Sequence, residues 1–106
     1  MSRWHKYDEG KSINKISTEG GIILRDDEHE LGARITLKRG KDFLSVSGHI
    51  YGWTDHTRFF ATNSEAEREY ESMKRALEDI MNVIESVGSK DIKVWEAISE
   101  FVRRFP

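Results

Sequence analysis

The sequence contains no cysteine and one proline in 106 residues, and its formal net charge at pH 7 is only −2. Without cysteine, neither a disulfide framework nor a thiolate zinc site can form. The near balance of charge argues against uniform attraction to nucleic acid or to an anionic membrane, since such binding would require local segregation of charge. The longest aliphatic run, Ile22-Ile23-Leu24, is far too short to span a membrane.

The length of the chain suits one domain, which we assign to residues 1–106. Residues 1–10 are polar and lack the apolar core of a signal peptide, so the expected location is cytoplasmic. Residues 1–18 are the least regular part of the sequence. They are compatible with a loosely packed terminus or with one short extra strand that contains Ile13 and Ile16.

Two amphipathic helices are predicted in the carboxyl-terminal half. The first runs from Ser64 to Val87, begins with a capping box and ends at Gly88. Its apolar residues recur at steps of three and four, which places them on one side of a helix: Ala66, Tyr70, Met73, Leu77, Ile80, Ile84 and Val87. The second runs from about Asp91 to Arg104. Its predicted buried stripe is Trp95, Ile98, Val102 and Phe105, flanked by Val94 and Phe101.

Before these helices, apolar residues alternate with polar ones in four predicted strands. The strand that begins at Leu31 should pair with the longest one, which starts at Phe43, so that Leu37 faces Leu44. A turn is expected over Asp27 to Glu30, with Asp26 opposite Leu31. The order of elements predicts an α+β domain: a four-stranded antiparallel meander, with an extra amino-terminal strand as an option, and two antiparallel helices on one sheet face.

The sheet face opposite the helices combines aromatic, basic and hydroxyl residues, whereas solvated sheet faces rarely carry several aromatic rings. We therefore predict a binding surface on this face, made of Arg34, His49, Tyr51, Trp53, His56, Arg58 and Phe60. The loop after Trp53 decides part of this set. A loop of even length places His56, Arg58 and Phe60 on this face, whereas a three-residue loop exchanges Phe59 with Phe60.

Tyr, Trp, Phe and Arg are enriched at the centres of protein interfaces, so the predicted partner is another protein or a second copy of the chain. Regulators, inhibitors and toxin-neutralising proteins all fit this description. The structural alternative is that Trp4 and Tyr7 of the amino-terminal segment, or a symmetry mate, cover the rings. The functional alternatives are a single-stranded nucleic acid, although no ribonucleoprotein motif or basic tail is present, and a small ligand.

An enzyme is not predicted, and neither a cofactor nor a metal is expected. Five residues could cluster near the third hairpin and do acid–base work, His49, His56, Asp55, Arg58 and Tyr51, but the sequence implies no Ser/His/Asp set. A metal held by His49 and His56 would need a third ligand, for which Asp55 and His29 are the only candidates. Residues 26–30 lack the oxygen spacing and the central glycine of a calcium loop.

Overall fold

The computed structural model describes residues 2–18 and 20–106 and contains one five-stranded antiparallel sheet in which sequential strands are neighbours. The strands are β1 (Trp4–Lys6), β2 (Ile22–His29), β3 (Ala33–Arg39), β4 (Leu44–Ile50) and β5 (Thr54–Phe60). Two helices follow, α1 (Asn63–Val87) and α2 (Ile92–Arg104). The predicted α+β class, the meander and the extra amino-terminal strand are confirmed. The extra strand is Trp4–Lys6, while Ile16 forms a single bridge with Ile22.

The hydrophobic core lies between α1 and the sheet. Alternate residues of β3 and β4 point into it, and Ala33, Ile35, Leu37 and Val46 are fully buried. Five residues of the predicted α1 stripe are buried, Ala66, Tyr70, Met73, Leu77 and Ile80, whereas Ile84 and Val87 are only partly buried. Ala76 and Met81, which lie beside the predicted stripe, are buried as well. The helix approaches β4 closely at Gly48, where an added Cβ would lie 3.3 Å from Leu77 Cδ1.

The two predicted hairpin registers are wrong in different ways. In the β3–β4 pair, Leu37 lies opposite Val46 instead of Leu44, a shift of two residues that leaves the same face buried because side chains alternate with a period of two. In the β2–β3 pair, His29 lies opposite Ala33, so β2 continues through the acidic residues that were predicted to form a turn. The actual turn is formed by residues 30–32.

The charged half of β2 forms a strand because each of its side chains has a partner. Asp26 binds Arg34 on the outer face, which is the sheet face opposite the helices. On the helix side, Asp27 accepts a hydrogen bond from Tyr70 at 2.5 Å. The buried His29 accepts a hydrogen bond from the backbone N–H of Leu31 at its Nδ1 atom, and its Nε2 atom therefore donates to Glu78. These contacts satisfy polar groups that would otherwise be costly to bury.

The ends of the helices differ slightly from the prediction. Thr62, not Ser64, caps α1 by accepting a hydrogen bond from the backbone N–H of Glu65, and Asp91 caps α2. Gly88 follows α1 with a φ of 88°, as expected of a glycine that ends a helix. In the part of the chain that the structure describes, no helix is long and apolar enough to cross a membrane.

The buried stripe of α2 is rotated relative to the prediction. Val94, Ile98, Phe101 and Phe105 are buried, whereas Trp95 is 57% exposed and Val102 is 39% exposed. Both sets of residues have helical spacing. The packing of α2 against α1 and β4 selects the first set, with the Phe101 ring directed toward Gly48.

Candidate binding surface on the outer sheet face

The loop between β4 and β5 decides which side chains reach the outer face. Ile50 pairs with Thr54, so the loop has three residues, 51–53, with Gly52 at a φ of 82°. As a result, the even-numbered residues of β5 point toward the helices and the odd-numbered ones point outward. Phe60 is buried at 8% exposure, whereas Phe59 is 64% exposed, which is the outcome that the three-residue alternative predicted.

Four of the seven predicted surface residues therefore lie on the helix side of the sheet. The Trp53 ring packs edge-on against Trp95 at a centroid distance of 4.7 Å. His56 donates a hydrogen bond from Nε2 to the carbonyl oxygen of Phe105. Phe60 is part of the core. The prediction that these residues share one face with Arg34, His49 and Tyr51 is wrong. For His56 and Phe60, the even-length loop that it required is not formed; Trp53 was expected in a strand that continues to it, but β4 ends at Ile50 and Trp53 lies in the loop.

Arg58 is the fourth of these residues, and it joins β5 to α1 and to the end of the chain. Its Nη1 atom lies 2.6 Å from Glu69 Oε1, and its Nε donates to the carbonyl oxygen of Pro106 at 3.2 Å. The side chain is only 17% exposed. Arg58 therefore has a structural role on the helix side.

On the outer face, Arg34 is paired and covered. It donates two hydrogen bonds to the buried Asp26, from Nε at 2.9 Å and from Nη2 at 2.7 Å, and the Tyr7 ring lies 3.5 Å from its guanidinium carbon. The hydrogen bond to Asp26 raises the pKa of Arg34 above its usual value, so the guanidinium stays charged. Ser12 also donates to Asp26, at 2.8 Å. Arg34 thus anchors the amino-terminal segment.

Tyr51 and His49 occupy the same end of the outer face. Their rings meet edge-on at a centroid distance of 5.0 Å, and the Tyr51 hydroxyl donates to Glu28 at 2.5 Å. Partial burial and this hydrogen bond raise the pKa of the Tyr51 phenol, which therefore remains protonated. The ring is 41% exposed, so its apolar part is accessible to a partner.

The centre of the outer face is a small polar depression of about 100 Å³. Ser47 and Thr57 share a hydrogen bond of 2.8 Å across its floor, and His49 pairs with Asp55 across the strands. The depression is lined by Ser17, Arg34, Thr36, Lys38, Ser47, His49, Asp55 and Thr57. The hydroxyl side chains that line this depression are small and can form hydrogen bonds with a bound partner.

The other end of the face carries its most exposed aromatic pair. The rings of Phe43 and Phe59 meet edge-on at 5.2 Å and 84°, and they are 48% and 64% exposed. They border an open depression of about 530 Å³, which is lined by Gly20, Gly21, Lys38, Gly40, Lys41, Phe43, Ser45, Thr57 and Phe59. The predicted set omitted this pair, although Phe43 follows the outward alternation and Phe59 follows from a three-residue loop.

The amino-terminal segment covers only part of the outer face. Tyr7 lies over Arg34, as described, but Trp4 is on the helix side, where its ring meets His29 edge-on at 5.0 Å. Phe43 and Phe59 remain exposed at the far end. The structural alternative, in which Trp4 and Tyr7 cover the aromatic rings, therefore applies to the Arg34 end alone.

Within residues 2–18 and 20–106, no three His, Asp or Glu side chains are grouped so that they could hold a metal ion. His49 and His56 point to opposite faces of the sheet, so they cannot share a metal. Comparison of the chain with family models, with curated proteins and with solved structures found no match. Any functional conclusion therefore depends on the surface itself.

Proposed function

We propose that this protein is a binding module that holds a protein partner on the outer sheet face. The observation that supports this proposal is the Phe43–Phe59 pair, two neighbouring rings exposed by 48% and 64% on a single sheet face. Aromatic side chains bury a large area for little loss of conformational entropy, and for this reason they are common interface anchors. Contiguous exposed apolar patches on single domains are frequently binding sites.

The rest of the face suits an interface in which the aromatic pair provides the anchor. The polar centre offers hydroxyl groups that can bond to a partner, and Lys38 and Lys41 stand beside the rings. A partner with an apolar group for the depression and acidic residues around it would complement this arrangement. Regulators, inhibitors and toxin-neutralising proteins bind in this manner, and the cytoplasm remains the predicted location.

A site-directed cross-link tests the proposal, because the absence of cysteine allows one label to be placed at will. A photoreactive group on Thr57→Cys, at the centre of the face, should capture a defined protein from a cell lysate. The same label on Ser86→Cys, which is exposed on α1, should not capture it. Adding Phe43→Ser and Phe59→Ser should abolish the capture, whereas adding Ile16→Ser, which alters another exposed apolar residue, should leave it unchanged. Equal capture with and without the two rings would contradict the proposal.

A single-stranded nucleic acid is the second candidate, favoured by the position of Lys38 and Lys41 in the same depression as the two rings. Bases stack on exposed aromatic rings and phosphates pair with lysines. Fluorescence anisotropy with mixed single-stranded oligonucleotides at low salt tests this reading. Binding that weakens steeply with salt and requires Phe43 and Phe59 would favour it over a protein partner.

A further inference from the structure

The sheet has one long edge strand. Among the described residues, no strand pairs with the outer side of β5, a seven-residue strand without glycine or proline. At the opposite edge β1 has only three residues, and residues 14 and 15 bond to β2 beyond it: the Asn14 backbone N–H donates to the Ile23 carbonyl at 2.7 Å, and the Ile23 N–H donates to the carbonyl of Lys15 at 3.0 Å. An open edge presents a row of backbone N–H and C=O groups to which another strand can bind.

Helix α2 has a second apolar stripe that the fold leaves exposed. Ile92 is 69% exposed, Trp95 57% and Val102 39%. Ser99 lies between Trp95 and Val102, and its small side chain permits another helix to approach closely. At 3.6 residues per turn, this stripe is centred roughly 110° around the helix from the buried one.

The exposed stripe faces the same direction as the open edge. Its Trp95 contacts Trp53, the residue immediately before β5. Ala97, Glu100 and Arg104 lie on another side of α2, where they line a groove of about 180 Å³ shared with α1. The stripe is therefore directed away from α1 and toward the edge of the sheet.

Two of the three ionisable side chains of β5 are directed away from the edge, and the third, Asp55, is exposed on the outer face. Charged residues on edge strands commonly prevent pairing with other chains. Here, however, His56 bonds to the carbonyl oxygen of Phe105 on the helix side, and Arg58 is held by Glu69 and by the carbonyl oxygen of Pro106. These contacts turn both side chains inward, over the end of α2.

We propose that the β5 edge and the exposed α2 stripe together form an interface with a second copy of this chain. A twofold axis would pair β5 with the partner's β5 in antiparallel fashion, join the two five-stranded sheets and pack α2 against the partner's α2. An edge strand is self-complementary under such an axis, because each copy supplies the same alternating donors and acceptors.

The charges that flank the stripe favour this antiparallel arrangement. Glu96 lies near the amino-terminal end of α2, beside the stripe, and Arg103 lies near the carboxyl-terminal end on the same side. Antiparallel packing brings the glutamate half of one helix toward the arginine half of the other, whereas parallel packing brings like charges together. Arg103 is 76% exposed and contacts Glu100 at 2.5 Å. Exposed ion pairs of this kind contribute little to stability, so Arg103 can leave Glu100 for a glutamate of the second copy at little cost.

Sedimentation velocity from about 1 μM to about 500 μM measures the self-association, since modest interfaces dissociate in this range. Ile92→Lys with Trp95→Glu should raise the dimer dissociation constant at least about 30-fold, the effect expected from loss of an aromatic anchor. Ile16→Ser, which removes another exposed apolar side chain at the opposite side of the sheet, is the control and should leave the constant within about twofold. Because Ile92 is 69% exposed, Ile92→Lys alone should remain folded and should still weaken the dimer.

Hydrogen exchange identifies the strand contact. In an edge strand, alternate amides point away from the neighbouring strand, so these β5 amides should exchange slowly in the dimer and quickly in the monomer. A monomer at every concentration, a dimer that resists the α2 substitutions, or a dimer with unprotected β5 amides would overturn the proposal. Capture of a partner through Phe43 and Phe59 should persist in the α2 variants, which separates this test from that of the proposed function.

Discussion

Replacement of Asp26 by Asn tests the polar cluster that holds the amino-terminal segment against the outer sheet face. The Asp26 side chain is fully buried. It accepts hydrogen bonds from Arg34 Nε at 2.9 Å, Arg34 Nη2 at 2.7 Å, Ser12 Oγ at 2.8 Å and Thr36 Oγ1 at 3.1 Å. Asparagine has nearly the same shape but no charge and only one acceptor oxygen. Some of these donors would therefore face an amide NH₂ group.

The structure sets the expected loss of stability. Removal of one partner from a buried ion pair costs about 3–5 kcal/mol, because the remaining charge is left unpaired. The Arg34 side chain is 28% exposed, so water reaches the unpaired guanidinium and lowers the expected cost to about 2–4 kcal/mol. A small domain has a total free energy of unfolding of only about 5–15 kcal/mol.

Urea unfolding, followed by tryptophan fluorescence, measures this loss, and a double-mutant cycle with Arg34→Met identifies its source. When Arg34 is already replaced, the buried Asp26 carboxylate is the unpaired charge, and Asp26→Asn removes it, so this step should cost less than about 1 kcal/mol. A cost below about 1 kcal/mol in the wild-type background would refute the reasoning, and so would two substitutions whose effects simply add.

Two further predictions concern the core and the helix side. Leu77→Ala should cost about 2–5 kcal/mol in urea unfolding, and Gly48→Ala should be tolerated better in that variant than in the wild type, because its new Cβ would lie 3.3 Å from Leu77 Cδ1. An unchanged urea midpoint in Leu77→Ala would contradict the packing of α1. Burial, with the hydrogen bond to Asp27, raises the pKa of Tyr70 above its ordinary value of 10.0, so stability that is fully present below pH 10 should be lost as the pH rises further. Unfolding measured from about pH 9 to about pH 11 should depend less on pH in Tyr70→Phe, and an identical dependence would contradict this role for the phenol.

The buried face of the sheet could be predicted because β3 and β4 alternate clearly. Ala33, Ile35, Leu37 and Val46 all lie where the period of two places them. The same pattern could not determine the register, since a shift of two residues sets apolar side chains opposite one another equally well. The β3–β4 prediction was therefore correct in its face and wrong in its pairs.

The charged half of β2 could not be identified as a strand from local sequence. Asp26 and His29 look like turn residues in isolation, and what stabilises them in a strand is contact with distant partners. His29 bonds to Glu78, which is 49 residues away in the chain. Only the tertiary structure brings such partners together, so local periodicity carries no signal of them.

The predicted binding surface depended on one residue of loop length. With three residues between β4 and β5, His56 and Arg58 turn toward the helices, while Phe59 turns outward.

For α2, the sequence contains two apolar stripes of helical spacing and cannot indicate which one is buried. The stripe that was predicted to be buried contains Trp95, which is instead exposed.

We attribute the exposure of Phe43 and Phe59 to the proposed binding role, because both rings lie outside the hydrophobic core. The core is complete without them, since α1 covers the opposite side of the sheet with a continuous row of buried residues. Asp26 and Arg34 hold the amino-terminal segment at the other end of the outer face, and Phe43 and Phe59 remain 48% and 64% exposed. Two phenylalanines that face water on a strand contribute little to the stability of the monomer. A partner that covers them would gain the hydrophobic contribution that folding leaves unused.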